Sequence, residues 1–104
     1  MLVSALVRRV NAEGGFATVI HKGDAQAGAI MVECVDRGTR NLLLERATGL
    51  DGRDGWRMVD APFDDEAAYA QRLDKRRRFD ADLWVIELDI ADAERFAAET
   101  IGSA

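Results

Sequence analysis

The chain has 104 residues, 48% of them apolar and 32% charged, with one proline and a formal net charge of -5. That length and balance close one core but not two, so a single domain over residues 1–104 is expected, and disordered, collagen-like and linker-rich classes are excluded. One histidine and one cysteine cannot make a Cys/His zinc set or an internal disulfide, and the opening MLVSALVRRV breaks at Arg8 before an export signal's apolar stretch could form. A cytoplasmic protein with no membrane span is the expectation.

In chain order, Leu2, Val3, Leu6, Val7 and Val10 recur at the spacing of a one-faced helix, which Gly14 and Gly15 end. FATVIHK (16–22), AIMVECV (29–35), NLLLER (41–46) and WRMVD (56–60) are short β-branched or aromatic runs separated by Gly and Asp, and read as four strands in a meander. Pro62 marks a joint between a strand-rich and a helix-rich half. Phe63 and Asp64 are expected as a capped helix start, with Asp65 and Glu66 in a first turn that runs on to about Phe79. LWVIELDI (83–90) is a fifth strand and DAERFAAETI (92–101) a closing helix. The expected fold is α+β, an antiparallel sheet of about five strands in the order α-β-β-β-β-α-β-α, with helices packed mainly on one face. The fifth strand has two open placements, beside the first strand or at an edge.

Strand alternation separates two faces. One collects Phe16, Thr18, Ile20, Ile30, Val32, Cys34, Leu42, Leu44, Trp56, Met58, Trp84, Ile86, Leu88 and Ile90, and is expected to form the core under the first and last helices. The other mixes Val19, Met31, Leu43, Val59 and Val85 with His21, Glu33, Glu45, Arg57, Glu87 and Asp89. It is more apolar than a solvated face needs to be. Its expected cover is the second helix folded back, a second copy in a homodimer, or a different protein partner.

Charge is uneven. Residues 1–63 carry eight Lys/Arg against eight Asp/Glu and residues 64–104 six against eleven, so the KRRR block of residues 75–78 interrupts the acidic end of the chain. Basic residues in a last helical turn complement the macrodipole. With Arg72 as origin, Tyr69, Leu73 and Ala70 span an arc of roughly 60° to 160°, and Arg76 and Arg77 fall at about 40° and 140°. Both stems are therefore expected against the body, their guanidinium groups meeting Asp80, Asp82, Glu87 or Asp89, while Arg72, Lys75 and Arg78 face water. A phosphate or nucleic-acid ligand would use Arg8, Arg9, Lys22 and this block. The net negative charge and the buried look of Tyr69, Phe79 and Trp84 weigh against nucleic acid.

Motifs with chemistry are few. GDAQAGAI (23–30) has the glycine spacing of a P-loop, but Ala29 and Ile30 stand where Lys and Ser/Thr must bind phosphate and magnesium. DGRDG (51–55) lacks the ligand ladder of a calcium loop and reads as a tight hairpin turn. No cofactor or metal is implied, and no serine sits in a nucleophile elbow. One constellation remains: His21, with Lys22 and Asp24 beside it, could share a sheet face with Glu33, Glu45 and Arg57, a histidine general base near an arginine that orients an anionic substrate.

The stretches VSALVRRVNAEGGFATVIHKGDAQAGAI, GWRMV and RRRFDADLWVIELDI followed by ERF resemble a small alphaproteobacterial family of unknown function, over nearly the whole chain from Val3 to about Ile101. Arg8, Arg9, Gly15, Phe16, Lys22, Gly23, Asp24, Gly28, Trp56, Arg57, Arg77, Arg78, Trp84 and Glu87 lie in those stretches. The resemblance implies a stand-alone bacterial cytoplasmic domain and carries over no substrate, cofactor or catalytic residue. The leading expectation is a non-catalytic protein-binding or regulatory module, with His21, Lys22, Asp24, Arg57, Arg76, Arg77 and Glu87 as candidate binding residues. The alternatives are phosphate or nucleic-acid binding through the Arg/Lys cluster, and a small enzyme built on His21 and nearby carboxylates.

Overall fold

The computed structural model describes residues 2–24, 29–48 and 54–100. Helix α1 (Leu2–Ala12) is followed by β1 (Phe16–His21), β2 (Ile30–Asp36), β3 (Thr39–Thr48) and β4 (Asp54–Met58), then α2 (Glu66–Phe79), β5 (Trp84–Asp89) and α3 (Ala93–Thr100). Gly14, at φ 87°, lets the chain leave α1, and the Gly15 N–H returns to the Val10 carbonyl at 3.0 Å. A Cβ on Gly15 would lie 2.7 Å from Ile90 Cβ, so only glycine lets β1 start this close to the end of β5. Arg37 and Gly38, at φ 52° and 80°, form the two-residue turn of the β2–β3 hairpin, the backbone that matches strand twist best. The turn expected at 51–55 lies mostly outside the described residues, but the pairing of Thr48 with Asp54 places β3 and β4 as antiparallel neighbours.

The sheet order is β1-β5-β2-β3-β4. It departs from the wholly antiparallel meander in one respect: β5 enters between β1 and β2, antiparallel to β1 and parallel to β2. A parallel pair needs a long crossover, and the segment from β4 through α2 supplies it. Trp84, Val85, Ile86 and Leu88 are all buried, as suits a central strand covered on both sides.

Over the first face, Val3, Leu6 and Val10 of α1 and Ala93, Phe96 and Ala97 of α3 bury against Ile30, Val32, Cys34, Leu44, Trp84, Ile86 and Leu88. Trp56 reaches this layer from β4, its indole N–H donating to the Ala97 carbonyl at 3.1 Å. Over the second face lies α2, with Met31, Leu43, Leu83 and Val85 as a smaller core beneath Leu73, Phe63, Ala61 and Val59. Two helices thus pack on the first face and one on the second, so the helices lie mainly on one face, as expected, and α2 is the cover of the other.

The face assignment of β1 is reversed from expectation. Ala17 packs on the first face, and the register Phe16↔Asp89, Thr18↔Glu87 puts Phe16 and Thr18 on the second. Phe16 is 73% exposed and Ile20 is exposed as well. β1 is an edge strand with a bulge between Val19 and His21, so its apolar residues do not report the core side. Met58 shares the Leu44 register but is exposed at the other edge, beyond the reach of α3.

Candidate functional site

The second face carries the charge. β2 and β3 each bring one carboxylate beneath α2, because Glu33 and Glu45 alternate with inward apolar neighbours on the first face; they are 3% and 8% exposed. Glu45 sits opposite Arg57 in the β3–β4 register. Arg57 donates Nη2–H to Glu45 Oε2 at 2.7 Å, and Arg76, reaching down from α2, donates to Oε1. Burial alone would raise the Glu45 pKa, but the two guanidinium groups outweigh it and hold the carboxyl below its usual range. Charge-assisted bonds to both oxygens make this the clamp between α2 and the β3–β4 hairpin.

Glu33 is differently placed. Its register partner in β5 is Glu87, and Arg40 Nε lies 3.8 Å from its Oε2, at ion-pair but not hydrogen-bond range. The Arg40 guanidinium stacks on the Tyr69 ring at 4.1 Å from the centroid, a cation–π contact, and the Tyr69 hydroxyl is buried near Glu33 without closing a hydrogen bond. Burial raises the Glu33 pKa; Tyr69 and Arg40 pull it back in part, and Glu87 adds repulsion. The Tyr69 phenol is pushed up by the same burial and by Glu33.

Helix α2 begins one residue later than expected, with Asp65 as its N-cap accepting from the Ala68 N–H at 3.0 Å. Arg76 and Arg77 are half-buried while Arg72, Lys75 and Arg78 are exposed, the orientation the helical angles give. Their partners match those expected only in part: Arg76 reaches the expected Asp80 at 3.9 Å but meets Glu45 more closely, and Arg77 lies 3.8 Å from Asp74. Glu87 stays beside Glu33 and takes no arginine from α2.

A cleft runs along each flank of α2. On the hairpin side, about 500 Å³ lies between β3–β4 and the helix, floored by Met31, Leu43, Val59 and Leu73, walled by Arg57, Arg72, Lys75 and Arg76, and bounded by Phe79, with Glu45 as its one carboxylate. Arg72 and Lys75 make no ion pair among the described residues. On the β1 side, a cleft of about 410 Å³ is lined by His21, Asp74, Arg77, Arg78 and Ala81. His21 donates Nδ1–H to the Leu83 carbonyl at 2.7 Å.

The seven candidate residues are therefore not one site. His21 and Arg57 share a sheet face but stand four strands apart, roughly 19 Å at the usual strand spacing, with α2 between them. A pocket joining His21 to Arg57, Glu33 and Glu45 is not formed. Lys22 is exposed at the end of β1, and Asp24 acts through its backbone, whose carbonyl accepts the Trp84 indole N–H at 2.7 Å. Arg9 is tied to Glu99 of α3 at 2.5 Å, on the face opposite α2, so Arg8 and Arg9 form no continuous surface with the KRRR block. Nothing in the sequence singles out Arg40, and Tyr69 stands out there only as a buried residue on the inward arc of α2. Arg40 follows the hairpin turn as an ordinary polar residue, and only the β-bulge between Cys34 and Val35 turns it inward.

The family described as "Protein of unknown function (DUF1491)" matches residues 1–98. The chain belongs to this family. Solved relatives share its fold: the crystal structure of a DUF1491 family protein from Caulobacter crescentus is 38% identical, with a TM-score of 0.77 over 90% of this chain and 88% of that one. An NMR structure of a DUF1491 family protein from the same organism is 39% identical, with a TM-score of 0.76 over 98% and 93%. A solution structure from A. tumefaciens is 37% identical, with a TM-score of 0.67 over 88% and 84%. No curated protein matches the chain. These relatives bear out the resemblance to a small alphaproteobacterial family and assign it no activity. Among the described residues no helix is long and apolar enough to cross a membrane.

Proposed function

We propose that the protein is a non-catalytic binding module that takes an acidic, partly apolar peptide segment of another protein into the groove between α2 and the β3–β4 hairpin. The observation that carries this reading is the composition of that groove: four cations against the single carboxylate Glu45, over an apolar floor, on a chain whose net charge is negative. Glu45 is already satisfied by Arg57 and Arg76, which leaves Arg72 and Lys75 for an incoming carboxylate, while Phe79, 80% exposed rather than buried as the sequence suggests, offers an apolar side chain a contact at the rim. Complementary charge gives specificity and a fast encounter, and the apolar floor supplies desolvation. α2 covers the half-apolar sheet face itself, so a second copy is not needed to hide it.

The reading includes a cytoplasmic site of action, supported by Cys34: a free, buried thiol whose pKa burial pushes up to about 12, of the kind reducing compartments preserve. The test is fluorescence anisotropy with a labelled decapeptide of Asp, Glu and Phe. Saturable binding that weakens with salt, and drops at least about tenfold in the Arg72→Glu/Lys75→Glu variant, supports the groove. Equal binding by that variant, or tighter binding of a single-stranded oligonucleotide of equal charge, would favour another surface or the phosphate alternative.

A further inference from the structure

The second cleft, on the β1 flank of α2, has features the groove lacks. Its walls are fixed to one another: Asp24 donates its backbone N–H to the Asp82 carbonyl at 3.0 Å, and a Cβ on Gly23 would meet that same oxygen at 2.1 Å, so the end of β1 is seated on the turn between α2 and β5. From that turn the Leu83 carbonyl takes the His21 Nδ1–H. A carbonyl only accepts, so the proton on Nδ1 is fixed and Nε2 is the ring's remaining polar atom for the cleft. Arg77 and Arg78 enter from the helix. The Arg77 Nε is buried with no hydrogen-bond partner, and its only ion pair among the described residues, to Asp74, is a loose 3.8 Å. Arg78 has none. The Arg77 side chain is otherwise 40% exposed, so the outer N–H groups of the two arginines can meet an oxyanion in the cleft with charge-assisted bonds, beside a His21 Nε2 that accepts from a phosphate hydroxyl.

We propose that this cleft binds the phosphate group of a small phosphate monoester, with Arg77 and Arg78 as its donors and His21 Nε2 accepting from its hydroxyl. The site is separate from the groove on the hairpin side and stands or falls independently of it.

The experiment is a titration of the ¹⁵N-labelled protein with inorganic phosphate at constant ionic strength, followed through backbone amide and imidazole signals. Saturable shifts are expected at His21, Arg77, Arg78 and Ala81 and not at Leu43 or Arg57. Affinity should fall about tenfold in Arg78→Gln and again in the His21→Gln/Arg78→Gln double variant, and stay unchanged in Arg95→Gln, an exposed arginine of α3 on the opposite face of the sheet. Ribose 5-phosphate in a parallel titration separates the sources: tighter binding than phosphate assigns the cleft to sugar esters, equal binding to the free ion. Shifts that only follow ionic strength, or a double variant that binds phosphate as the native chain does, would overturn the proposal. Exposed Arg78 is far from the core, so Arg78→Gln keeps the test valid if His21→Gln loosens the β1 end.

Discussion

Over one face of the sheet, α1 and α3 bury Leu6, Val10, Phe96 and Ala97 against Val32, Ile86 and Leu88, and the layer between them is aliphatic and aromatic. Over the other, α2 brings little more than Tyr69 and Leu73 to Met31, Leu43 and Val85, and is held down by Arg76 on Glu45 and by Arg40 stacked on Tyr69. The first arrangement is held by the removal of apolar area from water, which has no preferred direction and tolerates no loss of volume. The second relies on a few directed polar contacts, which are weaker in net terms and leave cations at the surface. The face that contributes less to stability is the one with clefts on both flanks of its helix, and that is where binding is expected.

The comparison is tested most severely on the first face. Leu6→Ala removes a fully buried side chain and should cost about 2–5 kcal/mol in a urea titration. A loss below about 1 kcal/mol would mean that this layer does not dominate stability. On the second face, Arg76→Gln should cost about 1 kcal/mol, less than a fully buried pair because its side chain is about a third exposed. Hydrogen exchange sharpens the point: in that variant the amides of α2 should lose protection while those of α1 keep theirs. Parallel losses in both helices would contradict the separation of the two layers.

The two buried carboxylates make opposite predictions with pH. Glu45 has a lowered folded pKa, so its contribution is present above the unfolded value of about 4.3 and disappears as pH falls through the folded one. Glu33 has a raised folded pKa. Below the unfolded value both states hold the proton and nothing is lost; as pH rises from there to the folded value, stability declines. Glu33→Gln should therefore raise the melting temperature at pH 7 relative to the native chain, with the gap shrinking toward pH 3. A gap independent of pH would show that Glu33 is not perturbed. The smallest effect is expected from Phe79→Ser, within about 0.5 kcal/mol, since Phe79 stands in solvent at the edge of the groove.

What the sequence disclosed follows the same division. Helical periodicity in α1 and the glycine pair after it locate that helix, and the angular positions on α2 place Arg76 and Arg77 inward, because both depend only on local geometry. The faces of β2, β3 and β5 follow from alternation. The parity of β1 does not, since Phe16 and Ile20 lie on an edge where an apolar residue need not be buried. The insertion of β5 beside β2 depends on a crossover that no short-range pattern encodes. Glu33 and Glu45 stand out as lone acids in apolar strands. Their partners Arg40, Tyr69 and Arg76 come from distant parts of the chain and meet them only once α2 is folded over the sheet. The separation of His21 from Arg57 is a consequence of the same topology.

An acidic segment seated between α2 and the β3–β4 hairpin must leave a footprint there, which the Asp/Glu/Phe decapeptide would show on the amide spectrum of the ¹⁵N-labelled protein. Shifts are expected at Leu43, Glu45, Arg57, Leu73 and Arg76, with α1 and α3 silent. A footprint centred on α1 and α3 or on the β1 edge, or no footprint under conditions where the protein is folded, would contradict that seating.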